Sequence, residues 1–331
     1  MRLKFAFAFL LASCCAFCLS ACRGGSAGEG RGGVTVQDAT GQTVTVSDTS
    51  RIVSIGPATT ETIYALGVGS RLVGVDNSSA EYLPQAAPLP KVGPRTTLNA
   101  EGIISLKPTL IMMPMDAGPP QVIDQLKSSA IPVIQLSPNY NFKAVQAKIT
   151  LIAHALGQEA KGAELNSSID AEIFDIYKLM DRALKTPKVL FVGRAQNMPN
   201  ATMSGTGTTI DEMIKMAGGQ NAITGFQGFK EMTDEAVVNA EPDIILITQG
   251  SFERSGGVDG VLKFPGVALT PAGRNRQIIP VSDMYFQGFG PGVGKALREL
   301  VVKFHPEVSA GQQGDAAAAS SSPAAAVGDR R

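Results

Sequence analysis

The stretch Leu98–Met113, LNAEGIISLKPTLIMM, sets Ile103, Ile104 and Leu106 at helical spacing and then runs apolar from Leu110 to Met113. Met232–Thr248, MTDEAVVNAEPDIILIT, repeats the arrangement, with Val237 and Val238 followed by Ile244–Thr248. In each copy a carboxylate stands seven residues before a proline, Glu101 with Pro108 and Glu235 with Pro242. Proline lacks a backbone donor and disfavours helix in the residue before it. The pattern therefore predicts a short helix, an extended exit at Lys107 and Glu241, and a strand buried on both faces as in a parallel sheet.

A second pair keeps the same order. TTETIYALG from Thr59 follows the apolar run Ile52–Ile55, and TTIDEMIKMAG from Thr208 follows Val189–Val192. Two pairs in one order indicate a duplicated α/β unit. Around them, Val34–Val46 alternates about Thr40-Gly41-Gln42 and predicts a β-hairpin, and Arg51–Asp76 reads as strand, helix, strand. Gly56-Pro57-Ala58 reads as a loop of small residues open to a ligand, and Pro84–Thr97 as a proline-rich connection. Val122–Leu126 predicts a short helix, Ile131–Leu136 a strand and Val293–Phe304 a closing helix. Lys143–Lys185 holds no proline and spaces its apolar residues helically, which predicts one long helix with a bend at Gly157. At 1.5 Å per residue such a helix reaches roughly 40–60 Å, enough to bridge two lobes.

The expected fold class is thus α/β, two Rossmann-like lobes joined by a single long α-helix. The lobes are expected over 51–142 and 186–306, with the connecting helix over 143–185. Residues 1–21, with basic Arg2 and Lys4, an apolar run and Leu19-Ser20-Ala21 before Cys22, read as a secretory signal ending in a lipobox. Cys14, Cys15 and Cys18 leave with the signal, so Cys22 is the expected lipid attachment site and no disulfide framework forms. Residues 22–50 are then expected to comprise this cysteine, a Gly-rich tether and the hairpin, and 307–331 an Ala/Ser-rich disordered tail.

Composition removes several functions. Lys plus Arg and Asp plus Glu are each 29 and Trp is absent, so no basic, aromatic-studded face points to nucleic acid. His154, in LIAHALG, and His305 are the only histidines, too few for a bare transition-metal site. No Gly-x-Ser-x-Gly elbow stands between a strand and a helix, the one match, Gly24-Gly25-Ser26-Ala27-Gly28, lying in the Gly-rich tether, which leaves nucleophilic catalysis without a constellation. Gly290-Pro-Gly-Val-Gly-Lys295 approximates a phosphate loop but is one residue short, with Ala296 where Ser or Thr is required, and reads as a turn.

RIVSIGPATTETIYALG, LPKVGPRTTLNAEGIISLKPTLIM, FPGVALTPAG and DMYFQGFG, within Arg51–Pro306, resemble the substrate-binding lipoproteins of ABC importers for iron chelates, haem and cobalamin, the haemin-binding members above all. That resemblance implies a monomeric, non-enzymatic protein with no intrinsic cofactor, in the periplasm or at the cell surface and membrane-anchored through its N-terminal lipid. It would hold haem in the inter-lobe cleft for an ABC permease and ATPase complex, with cobalamin or a ferric siderophore as the alternative ligand. The acids that meet the permease in such families match Glu101 and Glu235. Equivalent points of a two-fold repeat suit a two-fold partner, although a solvated first-turn glutamate would occupy the same place.

The ligand set implied by the resemblance is incomplete. Haem-binding relatives carry tyrosine in a Val-Gly-Tyr phrase where this chain has Val92-Gly93-Pro94, and no histidine stands at 194–197. Loop-end candidates for iron or for the pocket wall are Tyr140, Met113, Met115, Met198, Met203 and Tyr285. Arg95 and Arg194, one per lobe, could fork onto a carboxylate such as a propionate. Pro57, Thr96, Asn197 and Gln249 complete the expected cleft.

Overall fold

The computed structural model describes residues 33–193, 200–283 and 289–308. The chain opens with an antiparallel hairpin, β1 (Val34–Gln37) and β2 (Thr43–Val46), with Val34 opposite Val46. It continues through β3 (Ile52–Ser54), α1 (Pro57–Ala65), β4 (Leu72–Val75), α2 (Asn77–Tyr82), α3 (Ala100–Ser105), β5 (Leu110–Pro114), α4 (Pro120–Ser128) and β6 (Val133–Leu136). Two helices follow, α5 (Phe142–Leu156) and α6 (Glu159–Met180). The second half is β7 (Lys188–Gly193), β8 (Thr202–Ser204), α7 (Thr209–Met216), β9 (Gln220–Asn221), β10 (Phe229–Glu231), α8 (Asp234–Ala240), β11 (Ile244–Thr248), α9 (Gln249–Arg254), α10 (Gly257–Val261), α11 (Pro271–Arg274), β12 (Ile278–Val281) and α12 (Val293–Phe304).

The duplication appears as topology. The first sheet runs β4-β3-β5-β6, all parallel, and the second places β9, β7, β11 and β12 in the same relation, again parallel. β8 extends the second sheet antiparallel to β7, and β10 pairs antiparallel with β8. Both faces of each sheet are covered. Leu110 and Met112 join the core with Ile63 of α1 and Ile152 and Leu156 of α5, whereas Ile111 and Met113 join Ile103, Ile123 and Leu126 of α3 and α4. Ile244 and Leu246 pack under α7, α6 and α12, and Ile245 and Ile247 under α8 and α10. This is why both strand runs carry no polar residue in their buried stretch.

The two short helices that lead into β5 and β11 match in detail. Asn99 caps α3 by accepting the Gly102 N–H at 2.8 Å, and Thr233 caps α8 by accepting the Ala236 N–H at 3.3 Å. Glu101 and Glu235 are each the second helical residue and each exposed. Lys107 and Glu241 correct the expected extended exit, since both are left-handed, at φ 50 and φ 44. A left-handed residue closes the helix on its last carbonyls while still escaping the right-handed conformation that proline opposes.

The single helix expected over 143–185 divides in two. Gly157 is left-handed at φ 65, the chain reverses, and α6 lies antiparallel on α5. Asn166 Nδ2 donates to the Thr150 hydroxyl at 3.0 Å and Gln146 Nε2 to Asp170 at 2.7 Å. The hairpin as a whole bridges the lobes. Val145 and Ile149 of α5 enter the second core, Ile152 to Leu156 the first, and Leu165 of α6 packs against both. Periodicity alone cannot distinguish a continuous helix from two stacked ones, because the apolar stripe is the same. The helices touch at Gly162, where an added Cβ would come 2.5 Å from the Ala153 Cβ. Gly162→Leu is expected to cost about 1–3 kcal/mol by overpacking, read as a lowered urea midpoint; an unchanged midpoint would contradict this close approach.

Candidate functional site

In parallel sheets the carboxyl ends of the strands share one edge, where ligands gather. At the end of β3 the chain turns at Gly56, φ 92, directly into α1. The expected open loop at Gly56-Pro57-Ala58 is therefore the buried first turn of a helix, and Pro57 is part of that floor. Asp76, buried at the end of β4, accepts the Gly56 N–H at 2.8 Å and the Ser79 hydroxyl. Hydroxyls continue this network from Ser79 to Thr60 and from Thr60 to Ser54. The second lobe carries a counterpart: Ser204 meets Thr208 at 2.8 Å, and Asn221 Nδ2 donates to Gly205 O and to Asp211. Buried polar groups are tolerable only when hydrogen-bonded, and these bonds fix where each turn enters its helix.

Across one part of the edge lies a charged cluster. Arg95, on the connection before α3, is ion-paired with Asp116, on the turn after β5. Tyr140, after β6, stacks at 5.5 Å on Phe289 of the second lobe, and the Asp116 and Arg95 charges both reach its phenol. Burial, and then the Asp116 charge, hold that phenol above its ordinary 10.0. Lys148 of α5 donates to Phe289 O at 3.3 Å. Burial depresses the Lys148 ammonium to about 8 against the opposing charges of Asp116 and Glu61.

Glu61 of α1 reaches across to the turn before α12 and accepts the Gly292 N–H at 2.9 Å. A side chain at Gly292 would stand 2.8 Å from the Glu61 carboxylate, and one at Gly290 would collide with it. The phrase that approximates a phosphate loop thus offers its amide to a carboxylate of the other lobe. Burial pushes Glu61 up to about 7, and the Gly292 amide, Lys148 and Lys295 only partly offset it.

At another part of the edge, Glu81 and Tyr82 of α2 face Gln249, Ser282 and Asp283 across a hollow of about 530 Å³, with Glu299 and Lys303 of α12 behind. Asp283 accepts the Gly250 N–H at 2.9 Å. Burial, then the charges of Glu81 and Asp283, push Tyr82 up to about 12.

The fold brings Arg95 and Tyr140 together and places Gln249 apart from them, at the hollow, where it is exposed and donates to Glu253. Thr96 is exposed beside Arg95, and Met115 is 41% exposed after β5. Met113 is 0% exposed inside β5 and Met203 4% exposed inside β8, so both are core side chains with no route to a ligand. Arg194, Asn197, Met198, Tyr285 and Cys22 lie outside the described residues. Sequence reasoning missed Glu61, Asp116, Lys148, Tyr82 and Asp283. Only Glu61 left a trace, as the lone charge in an otherwise uncharged helical phrase. Among the described residues no three or more His, Cys, Asp or Glu side chains gather to hold a metal ion.

The sequence model described as "Periplasmic binding protein" matches residues 52–283. The chain belongs to the periplasmic binding protein family. It is similar to the uncharacterized ABC transporter substrate-binding lipoprotein YvrC of Bacillus subtilis (strain 168), 30% identical over 278 residues, 83% of this chain and 86% of that one. It is also similar to a cobalamin-binding protein of Halobacterium salinarum (strain ATCC 29341 / DSM 671 / R1), 24% identical over 281 residues, 82% of this chain and 74% of that one. Among solved structures, the apo periplasmic heme-binding protein RhuT from Roseiflexus sp. RS-1 is similar at a TM-score of 0.73 and 39% identity, covering 79% of this chain and all of that one. This periplasmic binding protein is accordingly a transport component of the two-lobe fold and not an enzyme, and what it binds is cargo rather than an intrinsic cofactor.

The raised Glu61 value carries a sign. Its charge is disfavoured in the folded protein, so the favourable state is complete below its ordinary 4.5 and is lost as pH rises through about 7. Lys148, depressed to about 8, is charged in the folded and unfolded protein alike over that window. Relative to Glu61→Gln, the wild type should lose about 1–3 kcal/mol of stability between pH 4.5 and 7.5. Urea unfolding at both pH values checks this, and parallel behaviour of the two proteins would refute it.

Proposed function

We propose that this periplasmic binding protein captures haem between its lobes and delivers it to an ABC permease. The observation that carries the reading is the Arg95 cluster at the carboxyl ends of β4, β5 and β6, with the partly open Tyr140 ring beside it, backed by the buried Phe289 of the second lobe: a guanidinium next to an aromatic ring suits a planar ligand with carboxylate edges. The 39% identity to a heme-binding protein over that protein's whole length supports it.

Cobalamin is the second reading, favoured by Pro94 where the haem-binding pattern has tyrosine and by a Tyr140 phenol that is held protonated. A corrinoid brings its own ring-held metal and asks the protein for no tyrosinate. The similarity to a cobalamin-binding protein points the same way.

Around this core we infer a lipid on Cys22 that tethers a monomer to a membrane surface. Among the described residues no helix is long and apolar enough to cross a membrane. Glu101 and Glu235, capped and exposed at matching points of the repeat, dock on a two-fold permease.

Absorbance titration separates the two ligands. A Soret shift saturating at one equivalent of haemin is expected; no shift, with tight uptake of cyanocobalamin, would reverse the order. The double substitution Glu101→Ala and Glu235→Ala should leave ligand affinity unchanged and lower uptake into vesicles bearing the permease by about tenfold or more, and undiminished uptake would remove the docking role.

A further inference from the structure

We infer that Asp116 is an internal stand-in for a ligand carboxylate, holding Arg95 in the empty cleft and giving way, toward Lys148, when an acidic ligand arrives. The inference deepens the haem reading and rests on it only for the identity of the acid. Three observations carry it. The Arg95 and Asp116 side chains are 36% and 42% exposed, and ion pairs open to water to this degree are weak and exchange readily. Arg95 also feels the charge of Asp76, which is fully buried and bonded to Gly56 and Ser79, so the guanidinium stays attracted to its place when Asp116 leaves. Lys148 feels the charges of Asp116 and Glu61, and the acceptor it bonds is a neutral carbonyl, Phe289 O, at the long distance of 3.3 Å. A displaced carboxylate therefore has a buried ammonium to move toward.

The groups facing Asp116 are Arg95 from the connection before α3, Tyr140 from the turn after β6 and Lys148 from α5. One exchange fits them. A guanidinium left open would collect small inorganic anions, whereas one already paired yields only to a carboxylate whose ligand makes further contacts, such as the partly open Tyr140 ring. Asp116 thus sets selectivity by competition, a repulsive element built against the wrong guests.

Two arms test this on the full chain. In the first, inorganic phosphate is titrated into 15N-labelled wild type and Asp116→Asn while the Arg95 Nε–H resonance is followed; the substitution should lower the half-shift concentration about threefold to tenfold. In the second, haemin and haemin dimethyl ester are titrated: Asp116→Asn should tighten haemin by a similar factor and leave the ester unchanged, and adding Arg95→Gln should abolish the gain. Phosphate uptake no better than wild type, or haemin bound no more tightly, overturns the inference. Weaker haemin would make Asp116 a support for Arg95 and overturn it equally. If no variant binds either porphyrin, the haem reading falls by itself and the phosphate arm alone decides the role of Asp116.

Discussion

A parallel β-sheet must be covered on both faces, because its backbone ladders and apolar side chains leave neither face fit for water. Everything functional in this protein follows from that constraint. Helices occupy both faces of each sheet, so side chains can be offered to a guest only along the strand edges. The carboxyl-end edge is where the turns are short, where buried hydroxyls and carboxylates hold the first residues of the helices, and where the charged groups of the two lobes come within reach of one another.

Those cross-lobe contacts carry an electrostatic cost. Glu61 is largely removed from water yet lends its carboxylate to a single amide of the opposite lobe, and Lys148 is held against one carbonyl. Each is displaced from its ordinary value in the direction that disfavours its charge. Stability alone does not account for such groups, since burial of an incompletely paired charge is unfavourable. Both bridge lobes that also share the α5–α6 hairpin, so the cross-lobe bonds at this edge depend on the protonation of these two groups.

Duplication supplies the frame and divergence the specificity. The same cap, the same exposed glutamate and the same left-handed residue before proline recur in both lobes, because each is set by a few neighbouring residues. The lobes differ at the edge. Asp76 in one has Asn221 in a comparable network of the other, and the Arg95–Asp116 pair and Tyr140 belong to the first lobe. A two-fold scaffold thus carries a matched pair of exposed glutamates on its exterior and an unmatched set of charges at its strand edge.

The sequence by itself determined the elements whose cause is local. The strand runs at Leu110 and Ile244, the hairpin at Val34–Val46, the closing helix at Val293–Phe304 and the paired helices with Glu101 and Glu235 were all legible, because backbone geometry imposes periods of two and 3.6 on neighbours along the chain. Only tertiary structure decided that the helical run from Lys143 folds back at Gly157, that Met113 and Met203 are core, and that Arg95 meets Asp116 while Glu61 meets Gly292, 231 residues away. Encounters between charges at converging strand ends leave no period in the chain. They exist because two sheets bring distant turns to one edge.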